Sequence, residues 1–168
     1  MHMSVEFSGE LSFSAAVLTV SDTRTNLTDK SGAHIIELLE QAGHTVIHYA
    51  IVPDDQAAIG GQIREWIADG EVDLIIATGG TGIAPRDVTI ETVKPFLQKE
   101  IPGFGEFFRY LSLTEDIGTR AMLSRAIAGT ITGRKLLFAL PGSRGAVSLA
   151  MRKLILPEAA HLLNEARK

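Results

Sequence analysis

Apolar residues fall along this chain in two alternating styles. Short continuous runs of strand length, at 15–20, 45–52, 73–78 and 135–140, are separated by stretches whose apolar positions recur every three or four residues. The run Leu74-Ile75-Ile76-Ala77 has no polar position, as a central parallel strand covered on both sides requires. Between the runs, Ile35, Ile36, Leu38, Leu39 and Ala42 predict a helix, with Ser31 as its N-cap and Gly43 as the left-handed residue after it. Ile59, Ile63, Trp66 and Ile67 predict a second, closed by Gly70. Helices are also expected at 90–99 and 103–115, a helical piece at 121–126, a strand near Thr130, and closing helices at 143–154 and 157–166, the last begun by Pro157.

Alternation of this kind predicts an α/β fold, a three-layer αβα sandwich around a mostly parallel, doubly wound sheet. The length of 168 residues suits one domain, expected over 13–168 after a mobile arm at 1–12. No internal repeat or low-complexity segment interrupts it.

Charge and composition narrow the chemistry. Sixteen Lys and Arg against 20 Asp and Glu give a formal charge of −4, so no net basic field favours nucleic acid. The absence of cysteine excludes disulfides, thiolate metal sites and thiol nucleophiles. Apolar runs such as Leu136-Leu137-Phe138-Ala139-Leu140 are far shorter than the roughly 20 residues a bilayer requires, so no membrane partner is expected. No basic segment followed by an apolar one opens the chain, and the expected location is the cytoplasm.

In open parallel sheets, ligands bind outside the carboxyl ends of the strands. Those ends here are Ser21-Asp22-Thr23, Pro53-Asp54-Asp55, Thr78-Gly79-Gly80-Thr81-Gly82 and Leu140-Pro141-Gly142-Ser143. The glycines let backbone N–H groups turn toward an anion, which makes this loop a phosphate-site candidate; a plain tight turn is the competing reading. It matches neither the Walker A pattern nor a complete dinucleotide fingerprint. Arg86 and Asp87 follow directly. Arg86 suits clamping a phosphate, while Asp87 or Thr89 equally suits capping the next helix. Carboxylates at Asp22, Asp54, Asp55 and Asp87 beside a phosphate loop form the hard-oxygen set that Mg²⁺ uses. Ser143 opens a helix whose N-terminus either binds a second phosphate or is simply capped, and Asp29-Lys30-Ser31-Gly32 reads the same way. His44 and His48, about 13 Å apart along a strand, do not make a metal site. Phe104, Phe107, Phe108 and Tyr110 form a dense stripe better suited to a subunit interface than to a heterocycle.

Taken in order, Thr19-Val20-Ser21-Asp22, Asp29-Lys30-Ser31-Gly32, Val52-Pro53-Asp54, Thr78-Gly79-Gly80-Thr81-Gly82 with Arg86-Asp87-Val88-Thr89, and Leu140-Pro141-Gly142-Ser143 resemble the molybdenum-cofactor biosynthesis family that contains MoaB and MogA. The resemblance runs from about residue 15 to 157. Ile101-Pro102-Gly103-Phe104-Gly105-Glu106, Ser124-Arg125-Ala126 and Ala128-Gly129 look more like its MoaB branch. Ile90 stands where the family often has proline, and Ser143-Arg144-Gly145 where it has Gly-x-Pro.

The resemblance implies a molybdopterin-binding fold, commonly a homotrimer or homohexamer, whose active members adenylylate molybdopterin with Mg-ATP and release pyrophosphate. Asp54 and Asp87 match the family's two activity-bearing aspartates, and a role in holding Mg²⁺ is expected of one or both. Ser21, Asp22, Ser31, Thr78, Gly79, Gly80, Thr81, Gly82, Arg86, Pro141, Gly142 and Ser143 are the expected substrate and phosphate contacts. ATP and molybdopterin are thus the expected substrates, and Mg²⁺ the cofactor. Other cofactor-biosynthesis proteins are candidate partners. The alternative within the family is a carrier that binds the pterin without modifying it.

Overall fold

Strands whose successive residues alternate between two buried faces organise the molecule. A computed structural model describes residues 11–168. The sheet contains β1 (Ser14–Val20), β2 (Thr45–Val52), β3 (Leu74–Thr78), β4 (Lys99–Glu100), β5 (Ile127–Ile131) and β6 (Lys135–Leu140), in the order β2-β1-β3-β6-β5-β4. Its first four members in space are parallel, with Thr19, Thr78 and Leu140 in register at their carboxyl ends. Among the described residues six helices cover it: α1 (Lys30–Gln41), α2 (Gln56–Ala68), α3 (Thr89–Val93), α4 (Pro102–Glu115), α5 (Arg144–Ala150) and α6 (Leu156–Ala166).

Ala15, Val17, Leu74, Ile76, Leu136 and Phe138 face one layer, packed with Ile35 and Leu39 of α1, Phe104 and Phe108 of α4, Val147 of α5 and Leu163 of α6. Ala16, Leu18, Ile75, Ala77, Leu137 and Ala139 face the other, against Ile59, Ile63 and Trp66 of α2 and Ile90 and Val93 of α3. Burial on both faces is why these strands are continuous apolar runs. Each fully buried Leu, Ile or Phe contributes about 1.5–3 kcal/mol of transfer free energy. The three-layer, doubly wound architecture is therefore as expected.

Several local features differ from expectation. The helix expected at 90–99 stops at Val93, because Pro95 lacks the N–H that an α-helix needs; Lys94–Phe96 tightens into a 3₁₀ turn. The chain then forms β4, where Lys99 and Glu100 pair antiparallel with Thr130 and Gly129. A Cβ on Gly129 would meet Lys99 O at 2.5 Å, so glycine allows this approach. The piece at 121–126 is likewise a 3₁₀ turn, Gly118–Leu123, entered at Gly118 with φ +63°. The closing helices are not separated: a π turn, Met151–Ile155, joins α5 to α6 and passes Pro157 without a break. Finally, α1 is capped by Asp29, whose Oδ1 accepts from Gly32 N at 3.0 Å, while Ser31 lies inside the first turn. The second helix ends at Ala68, two residues before Gly70.

Residues 1–10 of the expected arm lie outside the described residues; Leu11 packs against the core and Ser12 Oγ donates to Gly43 O. Among the described residues no helix is long and apolar enough to cross a membrane.

Candidate functional site

The carboxyl ends of β1, β3 and β6 open onto one cavity of about 170 Å³, lined by Thr19, Val20, Ser21, Arg24, Asp29, Lys30, Ser31, Thr78, Gly79 and Gly142. The space suits a phosphate-sized group rather than an entire pterin or nucleotide. Larger, mostly apolar hollows exist elsewhere, one of about 410 Å³ beside Phe104 and Phe107. The strand-end cleft is distinguished by its chemistry.

Backbone geometry builds its floor. Gly79 and Gly80 have φ of +95° and +65°, the left-handed region that glycine enters without steric cost. Gly79 also lies against the backbone of Val20, leaving no room for a Cβ. Gly79 N donates to Leu140 O, Thr78 Oγ to Pro141 O and Ser31 Oγ to Gly142 O, so three loops are tied together. Ser143 caps α5 by accepting from Ala146 N at 3.1 Å. Among the described residues, the N–H groups of Gly80, Thr81, Gly82 and Ile83 find no acceptor in the protein.

The wall at α1 rests on a buried carboxylate. Asp29 accepts from Thr19 Oγ at 2.6 Å, from Tyr49 OH, and from Gly32 N. Burial first, then the bond to Asp29, pushes the Tyr49 hydroxyl above its ordinary range, so it remains a donor. This network fixes the start of α1, where Lys30 and Ser31 meet the cavity. Arg24 and Lys30 supply positive charge there.

Beside the cavity stands a group of acids. Asp54 N donates to Asp22 Oδ1 at 2.9 Å, and a Cβ on Gly80 would meet Asp54 Oδ1 at 2.9 Å. Asp87 lies against Gly82, where a Cβ would approach its Oδ2 at 2.5 Å. Burial, then the carboxylates of Asp22 and Asp87, raises the Asp54 carboxyl above its usual range; Arg86 opposes the shift. Asp54 is thus crowded by like charge beside Gly80. Asp87 is not a helix cap: Val88 occupies the N-cap of α3, and Asp87 Oδ2 accepts from Ala84 N. Nor does Thr89 cap it, since its hydroxyl donates to Gly79 O. Asp55, by contrast, caps α2 through Ala58 N.

The predicted contacts therefore fall in two adjoining sets. Ser21, Ser31, Thr78, Gly79 and Gly142 line the cavity; Asp22, Asp54, Gly80, Gly82, Arg86 and Asp87 cluster beside it. Pro141 and Ser143 support the far loop rather than line the cavity, and Thr81 is buried. Sequence reasoning missed Thr19, Val20 and Arg24 as lining residues, and gave no function to Arg125. Arg24 was visible as a cation two residues beyond Ser21-Asp22-Thr23's centre; Asp29's partners Thr19 and Tyr49 become neighbours only when β1 and β2 pair.

Among the described residues, no group of three or more His, Cys, Asp or Glu side chains is arranged to hold a metal unaided. Asp54, Asp22 and Asp87 nonetheless present hard oxygen donors whose mutual repulsion disfavours charge at Asp54. Mg²⁺ commonly takes one or two carboxylates and completes its shell with other oxygens and water, so one or two of these acids are of the donor type that would suit it.

Fold and site define a doubly wound α/β protein with a glycine-floored cleft at its strand ends, bordered by carboxylates and by Arg24 and Lys30. The sequence profile of a family described as "Probable molybdopterin binding domain" matches residues 16–161. Molybdenum cofactor biosynthesis protein B of Staphylococcus carnosus is 57% identical over 169 residues, covering 99% of this chain and 97% of the relative. A crystal structure of a molybdenum cofactor biosynthesis protein B superposes with a TM-score of 0.91 at 53% identity, over 95% of this chain and 98% of the other. A Pyrococcus furiosus MoaB described as tungsten cofactor synthesizing gives 0.80 at 39%, over 94% and 98%. The chain belongs to the molybdenum cofactor biosynthesis family of MoaB and MogA.

Proposed function

We propose that this protein binds molybdopterin and ATP across its strand ends and transfers the adenylyl group to the pterin's terminal phosphate. The observation that carries the reading is the meeting of Asp22, Asp54 and Asp87 at a glycine loop with unsatisfied N–H groups, beside a phosphate-sized cavity. A phosphate oxygen of molybdopterin attacks the α-phosphorus of ATP; the new P–O bond forms as the bond to the β-phosphate breaks, and pyrophosphate leaves with the electron pair. No protein nucleophile is needed.

The chain's part is positioning and charge. The glycine loop and the cations Arg24 and Lys30 neutralise phosphate oxygens, and Thr19 and Thr78 border the cavity that orients them. Asp54 and Asp87 would hold Mg²⁺, which when bound offsets charge on the phosphates. Arg86 balances part of the acidic field at Asp54.

Of the aromatic stripe expected at an interface, Phe104 and Phe108 are buried in the core because they face the sheet, whereas Phe107 and Tyr110 are exposed and, with Leu113 and Met122, are read as the surface that joins copies of this chain. Incubation with molybdopterin, ATP and Mg²⁺ tests the reaction. Adenylylated pterin and pyrophosphate support it, and tight pterin binding without product supports the carrier instead.

A further inference from the structure

The glycine loop is gripped from behind by one guanidinium. Arg125, between the 3₁₀ turn and β5, donates from Nε to Thr81 O at 3.1 Å and from Nη2 to Gly82 O at 2.7 Å and Asp87 O at 3.3 Å. The same group pairs with the Glu91 carboxylate on α3, holding that carboxyl below its usual range. Arg125 is itself fixed: Arg109 of α4 donates to Ser124 O and Ala126 O, the carbonyls on either side of it, at 3.3 Å each.

In a planar trans peptide the C=O and the following N–H point in opposite directions. Anchoring Thr81 O and Gly82 O on Arg125 therefore turns the Gly82 and Ile83 N–H groups to the other side of the loop, where no protein acceptor meets them among the described residues. The same guanidinium holds the carbonyl of Asp87, so loop and acid are set by a single side chain.

We infer that Arg125 is the positioning residue of this site: by holding the carbonyls of Thr81, Gly82 and Asp87 it preorganises the loop's N–H groups for phosphate. The inference deepens the proposed function, since it takes the glycine loop as the phosphate site. A loop that is ordered only part of the time lowers apparent affinity by the competent fraction and leaves the bound complex able to react. Arg125→Ala is thus expected to raise KM for ATP about tenfold with kcat within about twofold, and to weaken inorganic pyrophosphate binding by a similar factor. Backbone order parameters for residues 79–83 should fall from about 0.85 to below about 0.6. Arg125→Lys, which keeps the charge but loses the fork, should recover only part of either loss.

Unchanged loop order and pyrophosphate affinity in a folded Arg125→Ala variant would overturn the inference, as would a fall in kcat at fixed KM. Should that variant fail to fold, Glu91→Gln carries the test, because it removes the charged partner that orients the guanidinium; unchanged loop order there counts against the inference. A parent protein that neither binds pyrophosphate nor forms product refutes the proposed reaction, while the order parameters still decide the role of Arg125.

Discussion

Replacing Asp29 by alanine removes the acceptor on which the α1 wall of the cleft rests. Three donors converge on that carboxylate: the Gly32 N–H, the Thr19 hydroxyl and the Tyr49 hydroxyl. Loss of the cap costs about 1 kcal/mol. The buried Thr19 hydroxyl gives up a bond to a carboxylate, about 1.5–3 kcal/mol, and Tyr49, closer to solvent, loses less. A total of about 3–5 kcal/mol corresponds to a fall in Tm of about 10 °C for a domain of this size. Calorimetry measures it directly. Tyr49→Phe keeps the cap and the Thr19 bond, so its Tm should fall by only about 3 °C. Asp29→Ala should also bind phosphate-bearing ligands less well, because Lys30 and Ser31 lose the cap that fixes their backbone, whereas Tyr49→Phe leaves that cap in place. A Tm for Asp29→Ala within about 2 °C of the parent would refute the reasoning, since it would mean that the network holds nothing.

Two further outcomes follow from the same structure. The Asp54 carboxyl is raised in the folded state, so its contribution to stability is fully present below the ordinary carboxylate range and is lost as pH rises through the folded value. Asp54→Asn should therefore melt higher than the parent at pH 7–8, with the gap closing toward pH 4, while losing turnover; a parent at least as stable at neutral pH contradicts this. Met122→Glu, on the exposed apolar face, should convert the trimer or hexamer expected of the parent into monomers by light scattering, and a monomeric parent would remove that surface from the account.

What could be read in the sequence follows from where the determining forces are local. The parallel strands were legible because burial on both faces forces continuous apolar runs, and the strand-end motifs because topology gathers them wherever such strands run parallel. β4 was not, since two exposed residues, Lys99 and Glu100, carry no pattern and owe their strand to pairing with β5. The joined closing helices escaped because Pro157 ordinarily marks a start, and a π turn supplies no sequence signal of its own. The cleft's acids were legible as types at loop positions. Their roles were not: Asp55 and Asp54 are neighbours, yet one caps α2 and the other faces Gly80, which only the turn between them decides. Arg125 lies some forty residues from the loop it holds, and such a contact exists only after β5 has joined the sheet.

The central claim is that Asp87 belongs to an adenylyl-transfer site and not to the scaffold. Its most direct test follows the label from α-phosphate-labelled ATP into molybdopterin, for the parent protein and for Asp87→Asn at matched fold, judged by melting. The account predicts labelled pterin with equimolar pyrophosphate from the parent and a rate at least about 100-fold lower from the variant. Equal rates from the two proteins, or a parent that holds the pterin tightly and never labels it, would contradict the claim.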